Sequence, residues 1–144
     1  MSEKISEINV YSEEIYLFVS KLINQLTVRQ NVFSRETFNE ILKMPNVHLF
    51  VMQDDNEILV GTTTVGIYST PTGKKAWIED VVIDETARGK GYGKKIVEHV
   101  INFVRNLGVN KLSLTSNPSR IAANNLYKTL GFEKYETNVY KMKI

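Results

Sequence analysis

The stretch Arg88-Gly89-Lys90-Gly91-Tyr92-Gly93 decides the fold prediction, because it joins a predicted strand to a predicted helix. Residues 76–83 (AWIEDVVI) have the apolar composition of a strand, and apolar residues recur at helical spacing from about Tyr92 to Asn106. Glycines at such a turn let the backbone approach an anion closely, and the first amides of a helix lack partners within it. The turn therefore predicts a site for a pyrophosphate group.

Basic side chains are concentrated at the same turn. Arg88, Lys90, Lys94 and Lys95 lie in a run of eight residues that contains no acid. Residues 1–72 have a net charge of −4 and residues 73–144 a net charge of +6, which favours an anionic ligand in the second half. The alternative is a solvated lysine-rich surface. We expect no nucleic-acid partner, because the basic half is its only support and no recognition motif is present.

Two common phosphate motifs do not fit this turn. The Walker motif requires Ser or Thr after its lysine to hold magnesium, and here Lys94 and Lys95 follow Gly93. The dinucleotide fingerprint requires a G-x-G-x-x-G spacing, whereas Gly89, Gly91 and Gly93 are two residues apart. The sequence therefore argues against an NTPase and against a dinucleotide-binding protein.

Length and composition limit the remaining possibilities. The chain has 144 residues, which predicts a single domain over 1–144. It has no cysteine and two histidines, so we expect no disulfide, no cysteine nucleophile and no metal site. The first residues lack the features of a signal peptide, and no apolar run approaches the roughly 20 residues of a membrane span. We expect a cytoplasmic protein without a membrane partner.

The residue pattern along the chain predicts a mixed α/β domain, of α+β type, around one sheet. A helix begins after Ser12 and a shorter one after Ser34, each with an acidic residue in its first turn. Further elements are predicted as strands at 48–53, 58–67, 76–83 and 111–116, a helix ending near Leu130, and a closing hairpin over 132–135 and 138–144. A further strand before Tyr11 is an open alternative.

Three motifs in order resemble those of the GNAT acetyltransferases. Residues 88–93 match the signature [RQ]-x-x-G-x-[GA], residues 78–83 look like the central strand of that family, and residues 123–132 (ANNLYKTLGF) match A-x-x-x-Y-x-x-x-G-F. The chain more distantly resembles the glucosamine-6-phosphate N-acetyltransferases. The resemblance implies a mostly antiparallel central sheet, about four flanking helices, and a splayed strand pair that forms a coenzyme cleft.

The resemblance also implies acetyl-CoA as cosubstrate and assigns residues to it. Main-chain groups of the central strand would bind the pantetheine arm, amides of the turn would hold the pyrophosphate, and two asparagines would contact pantetheine or adenosine. These residues are Val81, Val82 and Ile83, then Arg88, Gly89, Lys90, Gly91, Tyr92, Gly93 and Lys94, and finally Asn117 and Asn124.

Two residues are predicted to move protons. Attack of an amine on a thioester requires a base for the ammonium group and a proton for the departing thiolate. Glu79 is the predicted base, on a strand face shared with Trp77, Val81 and Ile83 if no bulge intervenes, and Asp80 is the second candidate. Tyr127 of the third motif is the predicted acid. The alternatives are a surface salt bridge for the carboxylates and a packed aromatic ring for the tyrosine.

The acceptor is not identified by any motif. The resemblance implies transfer of an acetyl group to a primary amine, either of a small molecule or of a peptide or protein. The acceptor would contact residues 24–35 and the loops near 69–75 and 135–138. A homodimer is one expected assembly. The alternative function is a non-catalytic acyl-CoA-binding or regulatory module.

Overall fold

The computed structural model describes residues 2–144, so Met1 lies outside the described residues. The chain divides into two compact units, one up to Leu114 and one from Thr115 to Ile144. Each unit is described by itself below, and the single domain over 1–144 stays a prediction. Over residues 2–144, every helix is too short or too polar to cross a membrane.

The first unit contains a five-stranded sheet in which strand order follows chain order. Neighbouring strands are antiparallel except for the last pair, which is parallel. The predicted mostly antiparallel sheet is therefore confirmed, and the open alternative before Tyr11 is a strand. The strands are β1 (Lys4–Glu7), β2 (Val47–Gln53), β3 (Leu59–Thr70), β4 (Gly73–Ile83) and β5 (Lys111–Ser113).

Three helices accompany the sheet at the places where the sequence predicts them: α1 (Glu13–Leu26), α2 (Arg35–Lys43) and α3 (Tyr92–Asn106). The Ser12 hydroxyl accepts a hydrogen bond from the Ile15 amide at 3.4 Å. The Ser34 hydroxyl accepts one from the Thr37 amide at 3.1 Å. Both are N-cap contacts that satisfy an amide left free in the first helical turn.

The two faces of the sheet pack against different helices. On one face, buried Phe18, Val19 and Leu22 of α1 form a cluster with Leu49, Val51 and Val82 of the strands. On the other face, the ring of Phe50 meets His99 and Phe103 of α3, with centroids 5.2 and 5.0 Å away. Burial of apolar surface on both faces fixes the orientation of β4, since its residues contribute to both layers.

The sheet opens between β4 and β5. The two strands pair over three positions, from Lys75 opposite Lys111 to Trp77 opposite Ser113. From Ile78 to Ile83, the side of β4 that faces away from β3 has no strand partner among the described residues. The predicted separation of these strands is therefore confirmed, and it leaves unpaired backbone groups along β4.

The second unit contains α4 (Ile121–Thr129), which ends at Gly131 with a left-handed φ of 100°. The hairpin predicted over 132–135 and 138–144 is wrong, because residues 132–144 contain no strand. Tyr140 and Met142 are exposed, so their alternation with lysines does not bury an apolar face. A two-stranded hairpin without a packed face is marginal in water, and alternation alone does not create one.

Candidate active site

The turn between β4 and α3 is built on glycines in the left-handed region. A short 3₁₀ turn over Glu85–Ala87 follows the strand, and then Gly89 and Gly91 have φ values of 81° and 83°. No heavy atom would lie within 4 Å of a Cβ placed on either residue. The backbone of this turn is therefore open to a ligand, and its conformation favours glycine at both positions.

The first turn of α3 presents free amides. Gly91 is the N-cap residue and has no side chain to accept a hydrogen bond from them. The Lys95 amide is the first to donate within the helix, to the carbonyl of Gly91 at 3.3 Å. The preceding amides of Tyr92, Gly93 and Lys94 therefore have no acceptor within the helix. These donors and the positive end of the helix dipole fit an anion.

Three of the four basic side chains near the turn have protein partners. The Arg88 Nε donates to the carbonyl of Ile83 at 3.1 Å. Lys94 lies 3.9 Å from the Glu98 carboxylate, and Lys95 pairs with Glu3. Two of these cations are thus paired with carboxylates, so the case for an anion at this turn depends more on its backbone amides than on the number of basic residues.

Helix α1 holds the start of the turn through Asp84. This buried carboxylate forms an ion pair with Lys21 at 2.8 Å and accepts hydrogen bonds from Gln25 at 3.3 Å and from the Thr86 amide at 3.3 Å. Gln25 in turn accepts a hydrogen bond from the Glu85 amide at 3.0 Å. The Lys21 ammonium, opposed by some desolvation, lowers the pKa of Asp84 from 3.8 to about 2.

Replacing Asp84 by asparagine should destabilise the protein at neutral pH by on the order of 1 kcal/mol, a value reduced because Lys21 is mostly exposed to solvent. Since the folded-state pKa is lowered, the carboxylate stabilises the fold above about pH 4 and loses this effect as the pH falls toward 2. Urea unfolding at pH 7 and pH 3 measures this. If the free energies of unfolding of the wild type and the Asp84→Asn variant differ by the same amount at pH 7 and pH 3, the prediction is contradicted. Lys21→Met is the matched control.

A β-bulge interrupts β4 beside the turn. Asp80 and Val81 together oppose Thr63 of β3, between the pairs Thr64–Glu79 and Thr62–Val82. Asp80 has a left-handed φ of 54°, and the buried Thr63 hydroxyl donates to the Glu79 carbonyl at 3.1 Å. Two residues opposite one shift the strand alternation by one position.

The bulge changes the face on which Glu79 lies. The expectation that Glu79 shares its face with Val81 and Ile83 is wrong, because the extra residue places Val82 on that face instead. Trp77 does share it, as predicted. Glu79 is exposed. Its neighbour on the same face is the buried Val82, which packs against α1.

Asp80 is the second carboxylate at the bulge. Its side chain reaches solvent, yet the surrounding protein desolvates the carboxyl and raises its pKa. A carboxyl with a raised pKa binds protons more readily near neutral pH. Asp80 therefore remains the second candidate for the base, and Glu79 remains the first.

The second unit contains the predicted acid. Tyr127 is buried, and its ring meets the Phe132 ring edge-on with centroids 5.9 Å apart. Burial raises the pKa of the phenol, with a smaller opposite effect from Arg120. Nothing within residues 2–144 forms a hydrogen bond with its hydroxyl. In the same residues, every solvent-inaccessible side-chain nitrogen or oxygen has a hydrogen-bond partner, so the Tyr127 hydroxyl must contact solvent. The hydroxyl is thus protonated and available at neutral pH.

The two asparagines brace the loop before α4. The side-chain Nδ2 of Asn124 donates to the backbone carbonyls of Asn117 and Arg120 at 2.9 and 2.8 Å. The Asn117 side-chain oxygen accepts hydrogen bonds from the amide and hydroxyl of Ser119. Their contacts with a coenzyme stay predictions, and the Asn124 oxygen and the Asn117 amide group remain the atoms suited to them.

Sequence patterns did not identify two supporting contacts. Thr63 at the bulge and Gln25 at the turn lie far from the motif that they support. The adjacent charges of Glu79 and Asp80 inside an otherwise apolar strand are consistent with a bulge, since regular alternation exposes only one of two neighbours, but they do not establish it without Thr63 of β3. No comparable signal marked Gln25.

Comparison with known proteins agrees with this architecture. Residues 17–132 match the model of the acetyltransferase (GNAT) family. An uncharacterized N-acetyltransferase of Bacillus subtilis is 28% identical over 116 residues, which cover 78% of this chain and 73% of that protein. Glucosamine 6-phosphate N-acetyltransferase of Arabidopsis thaliana is 32% identical over 102 residues, 65% of this chain and 68% of the relative.

Solved structures share the fold over nearly the whole chain. The crystal structure of the Arabidopsis enzyme superimposes with a TM-score of 0.80 at 26% identity, covering 99% of each chain. A protein from Agrobacterium tumefaciens gives a TM-score of 0.84 at 24% identity, covering 97% of this chain and 99% of the other. Family model, relatives and fold agree, and the chain belongs to the GNAT family as an N-acetyltransferase.

Proposed function

We propose that the protein transfers an acetyl group from acetyl-CoA to a primary amine within a ternary complex. The observation that carries this proposal is the uncapped glycine turn at the end of β4, which follows a strand edge without a partner. A pyrophosphate fits the first feature, and an extended arm with amide groups fits the second. Coenzyme A contains both groups in sequence.

The residues divide between these two parts of the coenzyme. The amides of Tyr92, Gly93 and Lys94 hold the pyrophosphate, and the open backbone at Gly89 and Gly91 lets it approach. Main-chain groups of Val81, Val82 and Ile83 bind the pantetheine arm as an added strand would. The Arg88 side chain has two roles here. It adds positive charge near the pyrophosphate, and its hydrogen bond to the Ile83 carbonyl holds the end of this strand edge in place.

Acetyl-CoA supplies the acetyl group as a thioester. Glu79 accepts a proton from the acceptor ammonium, directly or through water, and the free nitrogen then forms a bond to the carbonyl carbon. As the carbon–sulfur bond breaks, the Tyr127 hydroxyl donates its proton to the sulfur. The raised pKa of Tyr127 keeps this proton in place until negative charge develops on the sulfur. The second proton of the attacking nitrogen passes through water to the tyrosinate, which restores the hydroxyl, and Glu79 returns its proton to solvent.

A thiol-release assay with acetyl-CoA tests the proposal. The panel contains glucosamine 6-phosphate, after the Arabidopsis relative, together with diamines, amino acids and short peptides that have free amines. We expect one chemical class to release CoA well above the rate without acceptor. A protein that binds acetyl-CoA but releases no thiol with any amine would favour the non-catalytic alternative.

Replacing Glu79 by glutamine should lower kcat/KM at neutral pH by about 10²-fold, the usual contribution of a positioned base. Much of this loss should disappear as the pH approaches the pKa of the amine, because the acceptor then arrives without its proton. The pH profile of the variant measures this, and Asp80→Asn is the matched control. If the Asp80 variant shows the loss and the Glu79 variant does not, Asp80 is the base.

We also infer a cytoplasmic enzyme and, as its assembly, a homodimer. The cytoplasmic location is inferred from the expected class of protein, and the homodimer is inferred from the family. Light scattering on the purified protein distinguishes a dimer from a monomer across a range of concentrations.

A further inference from the structure

One face of β4 contains a cationic, an aromatic and an acidic side chain in a row. Lys75, Trp77 and Glu79 are two residues apart, before the bulge, and so lie on the same face of the strand. Two contacts fix which face this is. The Trp77 Nε1 donates to the Tyr68 hydroxyl at 3.0 Å, whereas Lys74, on the opposite face, donates to the Leu107 carbonyl at 2.7 Å.

The middle of this row is an aromatic surface beside an open space. The hydrogen bond to Tyr68 occupies the indole N–H, so the ring of Trp77 offers its apolar face to a ligand. Gly66 pairs with Trp77 across the strands and has no side chain, and a Cβ there would meet nothing within 4 Å. Trp77 is half-buried and Tyr68 is exposed, which leaves room for a flat or apolar group.

Two lysines lie together at the far end of the row. Lys75 pairs in register with Lys111 of β5, and residues in register on neighbouring strands project from the same face. Neither ammonium group forms an ion pair with a carboxylate in the part of the chain that the structure describes. Like charges side by side repel each other, and an anion between them removes this cost.

We propose that the acceptor is a primary amine that also has a phosphate or carboxylate group at its other end. This inference rests on the proposed function and specifies its substrate class. The amine lies at Glu79, the body lies over Trp77, and the anionic group lies between Lys75 and Lys111. The Cα atoms of Glu79 and Lys75 are about 13 Å apart along the strand, and the long lysine side chains shorten the span that the ligand must cover.

Binding of matched ligands to the protein saturated with CoA tests the inference. One pair is glucosamine 6-phosphate and glucosamine, and the other is lysine and cadaverine, so that phosphate and carboxylate are examined separately. Calorimetry should show at least one anionic member binding about tenfold more tightly than its neutral partner. The preference should decrease with added salt, since the lysines are partly exposed.

Variants separate this site from general charge effects. In Lys75→Gln/Lys111→Gln the ratio of affinities within the preferred pair should fall about tenfold, whereas Lys4→Gln, on the opposite edge strand, should leave the ratio unchanged. Equal affinity within both pairs for the wild type, including no binding of any member, overturns the inference. A ratio that survives in the double variant also overturns it. Absence of acetylation with preferential binding intact counts against the proposed function and leaves the substrate class supported.

Discussion

Tyr127→Phe is expected to lower turnover by about 10²–10⁴-fold, because it removes only the hydroxyl that we propose as the proton donor for the departing thiolate. The ring is buried and packed edge-on against Phe132, and the phenylalanine keeps that packing. The hydroxyl has no hydrogen-bond partner within residues 2–144, so its loss leaves no buried group unsatisfied. Stability and affinity for acetyl-CoA should therefore change little while kcat falls.

Stopped assays of thiol release with an active amine measure this effect. Tyr140→Phe is the matched control, since Tyr140 lies in the same unit, outside the loops expected to contact the acceptor, and is 88% exposed. Turnover of the Tyr127 variant within a few-fold of the wild type would make the residue a core aromatic. The thiolate would then leave unassisted or take its proton from water.

Gly91→Glu is expected to abolish binding of acetyl-CoA in a protein that remains folded. The change places a side chain and a negative charge at the amides that we assign to the pyrophosphate. The left-handed φ of 83° adds strain of about 1–2 kcal/mol, which a folded domain tolerates. Calorimetry should show heat of binding for the wild type and none for the variant.

Gly108→Glu is a matched control for this experiment. Gly108 follows the other end of α3, has a φ of 79°, and likewise has no atom within 4 Å of a placed Cβ. The two variants therefore share the strain and the added charge and differ in position. Equal affinity of the Gly91 variant and the wild type would reject the site, and so would an equal loss in both variants.

The sequence predicted the elements whose signals are local. Ser12 and Ser34 mark the starts of α1 and α2, and both hydroxyls accept amide hydrogen bonds as expected. The glycines of the turn and the end of α3 at Asn106 are likewise local features. These elements could be predicted because each depends on a few neighbouring residues.

Features that depend on distant partners could not be predicted. The bulge in β4 depends on Thr63 of another strand, and it changed the face assigned to Glu79. The hairpin predicted near Tyr140 failed because alternation does not supply a partner strand. Likewise, the Gln25 contact that holds the turn joins residues 60 positions apart. Pairing across the chain, more than local propensity, decided these outcomes.

The measurement that tests the central claim most directly follows an isotopically labelled acetyl group from acetyl-CoA. The protein is incubated with labelled acetyl-CoA and the most active amine of the panel, and the products are separated by mass spectrometry. We predict that the label appears on the amine in amounts equal to the CoA released, and that Tyr127→Phe reduces both together. Release of label as free acetate, or retention of the label on CoA with every amine, would contradict acetyl transfer to an amine.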